Sequence, residues 1–186
     1  MEELRGRIMA AAMAEAETSG WYELRLHRVA DRAGITLPDL LREFRDADAI
    51  ADAWFAGALA AMLAMPEEEL AGLPPSRRVE HALMRWFTHQ ATHRRVAGGM
   101  LRAKMHASHP HHWGPAIFNL SRLMHWALEA ARLDARGLAR QAEEVGLTLV
   151  FLAALAVFPR DDDSLTRTRA TLRRGLRFLD RLPRRT

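Results

Sequence analysis

Cysteine is absent from the 186 residues, and lysine occurs once, at Lys104, against 26 arginines. Without thiols the chain forms no disulfide and no thiolate metal site. Val, Ile and Thr are sparse and no alternating strand pattern appears, so a sheet is not expected. No segment reads as the roughly 20 apolar residues that cross a bilayer. The opening Met1-Glu2-Glu3-Leu4-Arg5 brings acids early and no apolar stretch before a cleavage site, which speaks against a secretory signal and for a cytoplasmic protein. There is also no glycine-rich phosphate loop, no nucleophile elbow and no metalloprotease His-Glu pair, so neither an enzyme nor a bound cofactor is expected.

What is present is helix-forming sequence. Apolar residues make up 49% of the chain, enough for a buried core. Ala, Leu, Arg and Glu dominate, and the periodicity predicts helices from Glu2 to Thr18, with Leu4, Ile8, Ala12 and Ala16 on one stripe, and from Ala47 to Met65, capped by Asp46. In the latter Ile50, Trp54, Leu59 and Leu63 should pack inward. Pro66 and Pro74-Pro75 bracket an acidic link. Ser76 is placed to cap a helix through His93, with Val79, Leu83, Trp86 and Phe87 apolar. Helices at about Ala116–Leu133, Ala135–Val157 and Leu165–Leu182 follow. Asp161-Asp162-Asp163-Ser164 suits the positive end of the last one's dipole. Glu143-Glu144 reads as a solvated surface pair.

Between the first two long helices, Leu26-His27-Arg28-Val29-Ala30-Asp31-Arg32-Ala33-Gly34-Ile35-Thr36 and then Leu37-Pro38-Asp39-Leu40-Leu41-Arg42-Glu43-Phe44 describe two short crossed helices with a turn at Ala33-Gly34-Ile35. That is the helix-turn-helix, which lays its second helix in the major groove. The charge is distributed against this. Residues 1–55 hold seven arginines and eleven acids, a net of −4, and residues 56–186 hold 20 basic and 12 acidic residues, a net of +8. Duplex binding gains much of its affinity from neutralised phosphates, so the acidic half is the half expected to touch DNA.

Gly20-Trp21, the run Val29-Ala30-Asp31-Arg32-Ala33-Gly34-Ile35-Thr36, Leu40 with Phe44, and Asp46-Ala47-Asp48-Ala49-Ile50 align without a gap over Gly20 to Phe55 with the pattern of the TetR family, which the chain resembles. The resemblance implies an all-α protein: a three-helix helix-turn-helix domain over residues 1–46, then a connecting helix and a larger helical ligand-binding and dimerisation domain over 47–186. It implies a ligand-responsive regulator, a repressor, that binds a pseudo-palindromic operator as a homodimer through its last two long helices. Its DNA-facing positions fall on Arg25, His27, Arg28, Thr36, Leu37, Pro38, Asp39, Leu41 and Arg42. Several depart from the family pattern: Leu41 stands for an aromatic residue, Ala47 for a phosphate-binding lysine, and Leu37 and Pro38 for a polar residue and a glycine. Asp39 and Glu43 add negative charge beside the phosphates.

The second domain offers Trp86, His89, Met100, Met105, Trp113, Phe118, Met124 and Trp126 as the wall of a pocket for a small apolar ligand. His106, His109, His111 and His112 cluster in and beside a loop. They lack the partner ligands of a physiological metal site, so no metal is expected. The final helix carries arginines opposite Leu165, Leu172, Leu176, Leu179 and Leu182. That feature, with the acidic first domain, resembles a second family of the same fold. Its members are coenzyme Q biosynthesis accessory proteins that bind isoprenoid lipid, and a membrane surface is a partner only under that alternative.

Overall fold

The computed structural model describes residues 2–104 and 113–182, the side chains of 113–118 excepted. Every regular element among them is helical. Helix α1 (Glu2–Ser19) buries Ile8, Ala12 and Ala16 and stops at Gly20, whose φ of 83° suits a residue without a Cβ. Helices α2 (Leu26–Ala33) and α3 (Leu37–Glu43) follow a short 3-10 turn at Trp21–Glu23. Their inner faces, Val29, Ala30 and Ala33 on α2 and Leu40 on α3, close on α1 and on Phe44, forming one compact core.

Helix α4 (Ala47–Leu63) starts where Asp46 Oδ1 accepts the amide of Ala49 at 2.7 Å, as the cap requires. It ends two residues before Met65, and Leu63 is exposed, not packed inward. The helix serves both cores. Ile50 and Ala51 belong to the first and Ala58 and Met62 to the second, while Phe55 touches both. The acidic link after α4 is pinned down: Glu67 pairs with Arg132 at 2.7 Å and Glu69 with Arg85 at 3.2 Å.

The second core is built by α5 (Pro75–Gln90), α7 (Trp113–Ala130), α8 (Leu138–Val157) and α9 (Thr166–Leu176), the last running into a 3-10 turn at Arg177–Arg181. At its centre the Phe87 ring lies 5.1 to 5.5 Å from the rings of Trp86, Phe151 and Phe158. Ser76 does not cap α5. Its amide and hydroxyl instead donate to Asp180, 104 residues away, at 3.0 and 2.6 Å. Asp161 and Asp162 do cap α9, accepting the amides of Thr166, Arg167 and Thr168 at 2.6 to 3.2 Å. Burial pushes the Asp161 carboxyl up, but its hydrogen bonds from Thr168 and the amides of Asp162 and Arg167 outweigh this and hold it below the usual value.

Three expectations change here. Glu143 is fully buried, while Glu144 stays partly open and pairs with Arg140 at 2.9 Å. The 23-residue helical stretch Leu138–Arg160 contains an 18-residue window with a mean hydropathy of 1.7, long and apolar enough to span a bilayer. The sequence pattern hid this because two polar turns precede the apolar run. Finally, the apolar side of α9, with Leu165, Leu172, Leu176 and Leu179, is buried within the second core.

Helix α6 (Arg94–Lys104) joins the two halves. Val96 and Met100 enter the first core and Ala97 enters the second. Gly99 lies so near Trp21 that an added Cβ would stand 3.0 Å from that residue's Cβ.

Candidate functional site

The helix-turn-helix turns on Gly34, whose left-handed φ of 65° and ψ of 41° end α2, with its amide donating to carbonyls of the last turn. Arg7 of α1 donates to the Ala33 carbonyl at 2.6 Å and locks that corner. Helix α3 then begins with a reciprocal box. Thr36 Oγ1 accepts the Asp39 amide at 3.3 Å, and Asp39 Oδ2 accepts the Thr36 amide at 3.1 Å. The side-chain and backbone bonds from Thr36 hold the Asp39 carboxyl below its usual range. Thus two residues expected at DNA, Thr36 and Asp39, have their polar atoms engaged in starting the helix.

The other expected contacts are all exposed to solvent. Arg25, His27 and Arg28 come from the start of α2, and Leu37, Pro38, Leu41 and Arg42 from α3. Leu37 and Leu41 are large apolar residues left open to solvent, 48% and 63% exposed. All seven arginines of residues 1–55 have an intramolecular partner. Glu15 takes Arg28 at 3.6 Å and Arg32 at 3.2 Å, Glu23 takes Arg25 at 3.1 Å, and Asp39 takes Arg42. Arg45 pairs with Asp46, Arg5 lies over the Phe44 ring, and Arg7 is held by Ala33 as described. Arg25, Arg28 and Arg42 remain more than half exposed. They are free to exchange a carboxylate for a phosphate, at a cost an unpaired arginine would not bear.

In the second domain a cavity of about 770 Å³ opens between α4, α6, α7 and α8. Asp52, Phe55, Ala56 and Leu59 give one face of α4, at i, i+3, i+4 and i+7. Trp86 closes it from α5, and Leu101 and Lys104 from α6. Asn119, Leu120, Arg122 and Leu123 line the α7 side and Phe151, Leu152 and Leu155 the α8 side. Lys104 Nζ stands 2.8 Å from Asp52 and 4.0 Å from Asp48.

Of the expected pocket residues, Trp86 lines this cavity. Met100 instead fills the first core, because α6 turns that face toward α1. Met124 is packed inside the second core, and Trp126 is 41% exposed on the outer side of α7. His89 faces α4, its ring 5.2 Å from that of Trp54, and burial pushes its pKa down. Met105, Trp113, Phe118 and the cluster His106, His109, His111 and His112 lie outside the described residues and side chains. The second apolar face of α4 was the missed signal, since Phe55, Ala56 and Leu59 repeat at helical spacing behind Asp52.

Among the described residues, an all-helical arrangement with an N-terminal helix-turn-helix, joined by two helices to a second helical core with an apolar cavity, defines a helix-turn-helix protein with a larger second helical body. No family model and no curated protein matches the chain. Among solved structures it is similar to a TetR transcriptional regulator from Nitrosomonas europaea ATCC 19718. That similarity is 29% identity and a TM-score of 0.83, over 97% of this chain and 99% of that one. A TetR transcriptional regulator from Rhodococcus sp. RHA1 shares the fold, with a TM-score of 0.67 at 18% identity over 96% of each chain. The chain thus has the fold of the TetR transcriptional regulators over nearly its whole length.

Proposed function

We propose that the protein is a non-enzymatic transcriptional regulator, a ligand-responsive repressor that binds a pseudo-palindromic operator as a dimer. One observation carries this reading: α4 and α6 each touch both the helix-turn-helix core and the wall of the 770 Å³ cavity. A molecule in the cavity therefore bears on the two helices that set the attitude of the DNA-facing half. A ligand that fits one attitude better than another shifts the operator affinity by that difference.

The dimer is supported by α8. Leu138, Ala142, Val145, Leu149, Leu152 and Ala156 are all exposed and recur at alternating spacings of four and three, the seam of a two-helix contact. A second copy is the occupant that fits, because a twofold pairing of this stripe buries the same residues on both partners and presents two recognition helices. Helix α9 would add polar contacts, since its leucines face inward. The isoprenoid-lipid reading loses its membrane-facing leucines for the same reason.

The test is binding of the purified protein to the DNA flanking its own gene, followed by anisotropy at rising salt. Sequence-selective binding that weakens with salt is expected. Arg28→Ala and Arg42→Ala should each weaken it by about 1–3 kcal/mol where they reach base or phosphate. Affinity no greater than for random DNA, unchanged in both variants, would overturn the reading.

A further inference from the structure

The cavity is apolar along most of its length, but not at one end. Asp52 precedes Phe55, Ala56 and Leu59 on α4, so its end of the cavity is the one nearer the helix-turn-helix, and Lys104 stands over it. This lysine is the single lysine of the chain, placed where 26 other cations are arginine. Its side chain is only 17% exposed, whereas those of its partners Asp52 and Asp48 are 51% and 37% exposed. The ammonium is thus the more enclosed member of the pair, and the Asp52 carboxylate is the more exposed one. Arg122 adds a second cation to the lining, against the one acid Asp52. A largely enclosed ammonium that loses its carboxylate is best served by another anion in its place.

We infer that the cavity takes an apolar monoanion, a molecule with a single carboxylate-like headgroup on an apolar body. The headgroup replaces Asp52 on Lys104, and the body lies along Phe55, Leu59, Trp86 and Phe151. This rests on the reading of the cavity as the ligand site of a regulator. It adds a consequence for coupling, because the Lys104–Asp52 pair ties the end of α6 to α4, and a ligand anion that takes Lys104 unties them. A cationic ligand would meet Lys104 and Arg122 as like charges, and a neutral one would leave the pair intact.

The experiment uses the full chain and three probes of equal length, dodecanoate, dodecanol and dodecylamine, with binding read from tryptophan fluorescence and calorimetry. Dodecanoate is expected to bind at least tenfold more tightly than the other two. Lys104→Met, which keeps the apolar stem, should remove that preference, while Lys104→Arg should retain it. Asp52→Asn, which removes the competing carboxylate, should widen the preference for dodecanoate over dodecanol by threefold or more. Equal binding of dodecanoate and dodecanol, or a preference that survives Lys104→Met, would overturn the inference while leaving the cavity as a ligand site. Failure of all three probes to bind would overturn both the inference and the ligand-responsive reading, and would leave DNA binding to be judged by its own titration.

Discussion

The two halves of this molecule are held together by different kinds of contact. In the first, the bonds that start and stop the helices join near neighbours: Thr36 with Asp39, Asp46 with Ala49, and the Gly34 amide with the preceding turn. In the second they span long stretches of chain. Ser76 is fixed by Asp180, 104 residues on, and buried Glu80 holds Arg173, 93 residues on, at 3.1 Å. A fold made from local punctuation shows in sequence. One made from distant pairings shows mainly as helix-forming composition.

That contrast orders the expected effects of mutation. Phe87→Ala, at the centre of four packed rings, should cost about 3–5 kcal/mol in urea unfolding monitored at the tryptophans. A loss well under 1 kcal/mol would mean that the second core is not the tightly packed body described. Gly146→Ala comes next. Its added methyl would overlap the Phe178 ring, forcing α8 away from the 3-10 turn that follows α9 at about 1–3 kcal/mol, and the same melts would detect it. An unchanged or raised midpoint would contradict the close contact between α8 and that turn.

Thr36→Ala should remove only one local cap, about 1 kcal/mol, from the helix-turn-helix. Its loss should appear in hydrogen exchange of α3 and leave the second domain's protection untouched; a global loss would erase the contrast between the halves. The smallest effect concerns acid. Because the folded Asp161 value lies below 3.8, its contribution is full at neutral pH and lost as pH falls through and below that value. Asp161→Asn should therefore flatten the acid limb of the stability curve between about pH 5 and 2. A limb identical to the wild type would remove Asp161 from the account.

The helix-turn-helix was legible from one continuous run, Leu26 to Phe44, and its turn glycine and the Asp46 cap because each is written within four residues. So was the all-helical class, from propensity and period. The cavity wall was legible only at Trp86. Met100 and Met124 have the right chemistry, but which face of a helix meets a cavity depends on neighbours far along the chain. In sequence Thr36 stood among the expected DNA contacts and Asp39 was an acid beside the phosphates. In the structure the polar groups of both take part in starting α3. The acidic balance of the first 55 residues likewise reappears as acidic partners for six of the seven arginines there, Arg7 being held by the Ala33 carbonyl.

The central claim is that the cavity and the DNA-facing surface are coupled through α4 and α6. The most direct measurement is affinity for the operator fragment, by anisotropy, while dodecanoate is titrated into wild type and Lys104→Met. The account predicts a loss of at least tenfold in the wild type and little change in the variant. If dodecanoate fills the wild-type cavity and operator affinity stays constant, the two halves are not coupled in this way.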